Sequence, residues 1–203
     1  MKQTFYLTFL ILFFAQLTAI AAQSEETFRP MKGTEQPISE RKTETGNCYI
    51  FENYTVKTTA SEGVGEKIVI YKRAATTTNY CDSRARPYLS IENPDANYFI
   101  GLSGVFLFVD SGTSVESRGL EIFNLETKKS IYATEYHDSV ALQNGRYVLY
   151  DKVSAKAGAV KTCREAAKWK KEGFSIGWVR NTKIDLQTLK ESPAGALRCI
   201  ALQ

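Results

Sequence analysis

Val140-Ala141-Leu142-Gln143-Asn144-Gly145-Arg146-Tyr147-Val148-Leu149-Tyr150 sets two apolar, β-branched and aromatic runs on either side of an Asn-Gly pair. Asn and Gly both tolerate positive φ, which the two central positions of a tight β-turn require. The flanks are too short for helices and favour strands. This stretch is therefore expected to be a β-hairpin, and it sets the frame for the rest of the chain.

Working outward, the same grammar repeats. Residues 97–102 and 105–110 flank Ser103-Gly104, and 120–125 and 130–134 flank Glu126-Thr127-Lys128-Lys129. On the N-terminal side, 48–56 is aromatic and β-branched, 67–72 (KIVIYK) is a short strand core, and a Gly-containing turn at 61–65 separates them. Residues 88–91 form a further short candidate strand. On the C-terminal side, 174–179, 182–186 and 197–201 have strand composition. One stretch is helical in character: 162–172 (TCREAAKWKKE), rich in Ala and Lys and stopped by Gly173. Roughly ten short strands with one helix predict an all-β fold of mainly antiparallel meanders and hairpins. Sandwich, barrel and propeller-like arrangements all remain open. A faint echo links LEIFNLETKK (120–129) to NTKIDLQTLK (181–190) and suggests two similar meanders.

The 203 residues carry 26 Lys+Arg, 22 Asp+Glu, four Cys and one His, with 43% hydrophobic residues. That composition excludes a wholly disordered, collagen-like or polytopic membrane chain. Residues 1–22 (MKQTFYLTFLILFFAQLTAIAA) place Lys2 before an apolar run that ends in Ala19, Ala21 and Ala22. This is the pattern of a secretory signal peptide, cleaved after Ala21 or Ala22. Residues 23–47 are polar, broken by Pro30 and Pro37 and without a clear period, and are expected to form a flexible polar arm. Residues 48–203 are expected to form a single disulfide-bonded β-domain. The expected location is periplasmic or secreted. There, four cysteines imply two disulfides. Three pairings are possible, and Cys48–Cys81 with Cys163–Cys199 is favoured because each closes a local loop.

Candidate chemistry is sparse. Leu107-Phe108-Val109-Asp110-Ser111-Gly112-Thr113 resembles the D-[ST]-G-[ST] active-site turn of aspartic peptidases. The resemblance implies Asp110 as catalytic acid/base, sharing a proton with a second carboxylate. A single-chain enzyme of that kind needs two such motifs. This chain has one, so the hydrolase would have to be a homodimer. The competing reading makes Asp110 a surface turn residue after a strand. His137, the one histidine, stands beside Asp138 without the spacing of a dyad, and no G-x-S-x-G is present. Ser61-Glu62-Gly63-Val64-Gly65-Glu66 lacks the third Gly and the following helix of a phosphate loop. The cysteines are too scattered for a zinc site. The basic stretch 152–171, with Trp169, could meet an anionic surface. The alternative is a solvated helix face with Trp169 and the alanines turned inward.

The expected function is thus an exported, non-enzymatic binding or interaction domain of unknown ligand, an inhibitor or envelope-partner protein. No catalytic residues, metal or cofactor are assigned. Its partner would be a protein or envelope ligand and not nucleic acid, since the net charge of +4 is mild. Any membrane contact is confined to the signal segment or the basic stretch 152–171. The alternative is the aspartic-peptidase-like hydrolase at Asp110.

Overall fold

The computed structural model describes residues 30–74, 81, 86–114, 117–154 and 163–202. The signal segment 1–22 and the start of the expected arm, 23–29, lie outside the described residues.

Two antiparallel sheets are present, each a meander in sequence order. The first joins β1 (Ser39–Thr43), β2 (Gly46–Ile50), β3 (Tyr54–Ala60), β4 (Glu66–Lys72) and β5 (Leu89–Ile91). The second joins β6 (Asn97–Ser103), β7 (Phe106–Ser111), β8 (Arg118–Asn124), β9 (Lys129–Gln143), β10 (Tyr147–Val153), β11 (Ser175–Asp185) and β12 (Lys190–Leu202). A short helix, α1 (Ala166–Lys171), stands between β10 and β11. The all-β expectation is met, helix included.

The sheets face each other across one core. Tyr49, Phe51, Tyr54, Val56, Ile68 and Ile70 from the first sheet meet Phe99, Leu102, Leu107 and Val109 from the second. A second core lies on the opposite side of the larger sheet and holds Phe108, Ile122, Tyr136, Val148 and Ile184. Strand β7 therefore buries both faces, Leu107 and Val109 on one and Phe108 on the other, because successive side chains alternate. This double burial explains why the run has no polar alternation in sequence.

The turns follow their local chemistry. Asn144 (φ 54°) and Gly145 (φ 63°) take the left-handed conformation between β9 and β10, with Tyr147 opposite Gln143. The echo noticed in sequence is a repeated turn. Asn124 and Asp185 each accept backbone N–H bonds from the residues that follow, Leu125 and Leu186 are both buried, and Lys128 (φ 57°) and Leu189 (φ 56°) share the left-handed position. Helix α1 ends as its sequence predicts. Gly173 has φ 88°, its N–H donates to the Lys170 carbonyl, and the Phe174 N–H reaches back to Trp169.

Two expectations need correcting. Strands β9 and β11 are each continuous where two short strands were expected. The first absorbs its irregularity at Asp138 (φ 68°), where the register shifts against Tyr150 and Asp151. The described part of the expected arm, 30–47, belongs to the folded body. It contains β1. The Met31 N–H donates to the Ile100 carbonyl, the Glu35 N–H to Leu102, and the Leu142 N–H to Lys32. Lys32 bridges Ala141 in parallel. Residues 31–35 thereby link β6, at one edge of the large sheet, to the far half of β9. The strip closes a ring through β7 and β8, with Met31 buried in the second core. A strip held by backbone bonds needs no side-chain periodicity, so the sequence pattern did not reveal it.

Candidate functional site

Asp110 is the residue on which the sequence placed most chemical weight. The structure does not put it in a surface turn. It lies within β7 and is 6% exposed; the bend comes two residues later at Gly112 (φ 90°). Alternation carries its side chain to the face of Phe108, into the second core. A carboxylate there needs partners, and the neighbouring strands supply them. Arg118 and Tyr136 stand directly opposite each other on β8 and β9, and Arg118 is diagonal to Asp110. Arg118 Nε donates to Asp110 Oδ1 at 2.9 Å and its terminal nitrogen binds Oδ2, a two-pronged pairing. The Tyr136 hydroxyl donates to Oδ1 at 2.9 Å. Hydrogen bonding to Asp110 raises the Arg118 guanidinium above its ordinary value, against its own burial. Burial and the Asp110 charge push the Tyr136 phenol up. The charge is closed within the site. Among the described residues, no hydrogen bond or ion pair brings a second carboxylate onto Asp110.

The same device recurs. Asp151 on β10, 6% exposed, is paired with Arg198 of β12. His137 sits opposite Asp151 in register, half-buried at the bulge. Glu191 collects Lys152, Tyr132 and Tyr150. Burial raises the Glu191 carboxyl, but hydrogen bonds from those three groups outweigh it and hold the carboxyl below its ordinary value. Burial pushes the Tyr150 phenol up to about 12.

The four cysteines are where the sequence set them, as two disulfides. Cys48–Cys81 ties the segment ahead of β5 to β2, and Cys163–Cys199 ties the approach to α1 onto β12. Beside the second bond, Ala166 and Trp178 are buried, with Trp169 packed against them. Arg164, Lys168, Lys170 and Lys171 are exposed. Around α1 the basic stretch is therefore a solvated face with its aromatic turned inward, while Lys152 lies on β10 and is paired with Glu191. Residues 155–162 lie outside the described residues.

Two of the open depressions on the described surface bear on function. The larger, of about 740 Å³, lies between the β3–β4 loop and residues 92–94. Several of its polar groups are committed to one another: Lys67 pairs with Glu92 at 2.8 Å, and the Asn93 amide donates to Ser61 Oγ and the Val64 carbonyl. The smaller, of about 450 Å³, is lined by Tyr71, Lys72, Arg86, Pro87, Tyr88 and Lys128. Lys128 Nζ lies 3.9 Å from the centre of the Tyr88 ring and Lys72 Nζ 5.9 Å. No ion pair between these three cations and a carboxylate occurs among the described residues. Sequence reasoning missed this cluster. Its parts come from the end of β4, the approach to β5 and the β8–β9 turn, and no local motif joins them.

Among the described residues, no group of three or more His, Cys, Asp or Glu is placed to hold a metal, and no helix is long and apolar enough to cross a membrane. Fold and bonds together define a two-sheet antiparallel β-protein fastened by two disulfides, bonds that an oxidising compartment sustains. No protein family, curated protein or solved structure matches this chain.

Proposed function

We propose that this protein is an exported, periplasmic or secreted, non-enzymatic binding domain. One observation carries the reading. The buried acids Asp110 and Asp151 are each neutralised by an arginine from another strand, which leaves neither poised to exchange protons with a substrate. The disulfides support export, and the open, cation-lined depression offers a surface for recognition.

The hydrolase alternative would require Asp110 to leave Arg118 and meet a second carboxylate. The test is direct. Purified, oxidised protein is incubated with a mixed peptide library at acidic and neutral pH. The expected result is no cleavage, with wild-type and Asp110→Asn protein indistinguishable. Peptide cleavage that disappears in Asp110→Asn would overturn the reading in favour of an aspartic-peptidase-like enzyme. Export is tested separately, by fractionating the native host. Recovery in the cytosol with free thiols would overturn that part.

A further inference from the structure

Three cations and an aromatic ring from separate parts of the chain line one depression that the tertiary structure assembles. Resting on the binding reading above, we propose that the depression lined by Lys72, Arg86, Tyr88 and Lys128 is a recognition site for a phosphomonoester carried on a small polar ring, such as a phosphorylated sugar.

The placement follows from the fold. Lys72 ends β4 in the first sheet. Arg86 and Tyr88 lead into β5. Lys128 belongs to the β8–β9 turn of the second sheet, so the site bridges the two layers. The Lys128 backbone is held at φ 57°, a conformation its turn imposes, and this fixes where the side chain leaves the chain. Its ammonium group rests on Tyr88, which occupies one side of the nitrogen by cation–π attraction. The remaining N–H donors are available to an incoming acceptor. Tyr88 is in turn braced by Tyr54, with ring centres 6.2 Å apart.

Several cations elsewhere in the described residues are matched. Arg118, Arg146, Lys152 and Arg198 each hold a carboxylate. Lys72, Arg86 and Lys128 do not, although Glu126 is close enough for its charge to act on Tyr54. Like charges crowded on one concavity repel, and a dianion relieves that repulsion more than a monoanion does. This favours a phosphomonoester over a carboxylate. A volume of about 450 Å³ exceeds what a bare phosphate fills and leaves space for a ring-sized group against Pro87 and Tyr88.

The test is isothermal titration of the oxidised full-length mature protein with glucose 6-phosphate, inorganic phosphate and glucose. Phosphatidylcholine vesicles with and without phosphatidic acid form a further arm. Glucose 6-phosphate is expected to bind, glucose not to bind, and added salt to weaken the interaction. Lys128→Gln should weaken binding about tenfold, the loss of one charge-assisted contact. Lys72→Gln/Lys128→Gln should abolish it. Lys170→Gln/Lys171→Gln on α1 removes the same charge and should leave it unchanged. Thermal melting confirms that each variant is folded. Equal affinity of wild type and Lys72→Gln/Lys128→Gln for glucose 6-phosphate, or no binding, overturns the proposal. Binding only to phosphatidic acid vesicles, lost in the double variant, overturns the sugar and assigns the phosphate to a lipid. The peptide-cleavage assay reports on the binding-domain reading independently, so the two can fail separately.

Discussion

Replacing Arg118 tests whether Asp110 is a closed structural charge. Arg118→Ala leaves a carboxylate that is 6% exposed with one remaining partner, the Tyr136 hydroxyl at 2.9 Å. Breaking a fully buried ion pair from one side costs about 3–5 kcal/mol. Here the arginine side chain is 32% exposed, so water reaches the vacated position and reduces the penalty to about 2–3 kcal/mol. Part of that cost is lost packing, because the guanidinium also lies 5.4 Å from the Tyr98 ring centre. Arg118→Met keeps the aliphatic stem and isolates the charge. Asp110→Asn retains an acceptor for Tyr136 and should cost about 1–2 kcal/mol. The double variant Arg118→Met/Asp110→Asn removes the orphaned charge and should be more stable than Arg118→Met alone. Urea denaturation followed by Trp169 and Trp178 fluorescence measures all four. The reasoning fails if Arg118→Met costs under about 0.5 kcal/mol, or if adding Asp110→Asn destabilises it further. Either result would mean that Asp110 tolerates an unpaired state, as a catalytic carboxylate must.

Two glutamates should show opposite pH behaviour. Burial raises the Glu66 carboxyl above its ordinary value of 4.5, so its ionisation opposes folding at neutral pH. Glu66→Gln is expected to raise the urea midpoint at pH 7, and the gain should vanish as the pH falls below the ordinary carboxyl value. The Glu191 carboxyl is held low, so its contribution is favourable above 4.5 and is lost as the pH falls through its folded value. Glu191→Gln should lower the midpoint at pH 7, with the difference closing in acid. Paired Cys→Ala replacements, Cys48/Cys81 or Cys163/Cys199, open loops of 33 and 36 residues. Each should cost about 3.5–4 kcal/mol in the chain-entropy treatment, measured by denaturation of the purified protein. The closing strip gives a further prediction. Met31→Ala should cost about 2–5 kcal/mol as a core truncation. Gly33→Val should be more damaging, because Gly33 has φ 88° and a Cβ there would lie 1.9 Å from the Leu142 carbonyl oxygen. Full stability of either variant would mean that residues 31–35 are not part of the folded body.

Local chemistry made much of this protein legible. The Asn144-Gly145 turn, the Gly173 helix end and the strand runs depend on neighbours a few residues apart, and the sequence displays those neighbours side by side. The disulfide pairing was legible for a different reason, since each bond closes a loop within one half of the chain. Tertiary structure decided everything that depends on strand-to-strand distance. Asp110 looked like a turn residue because Asp, Ser and Gly favour turns; only β8 and β9, which bring Arg118 and Tyr136 against it, make a buried charge tolerable there. Residues 31–35 looked like an arm because backbone hydrogen bonding leaves no side-chain period; closure of the ring through β6 and β9 gave them a place. Lys72, Tyr88 and Lys128 meet only because two sheets stack, and the linear order of residues carries no record of which turns that stacking juxtaposes.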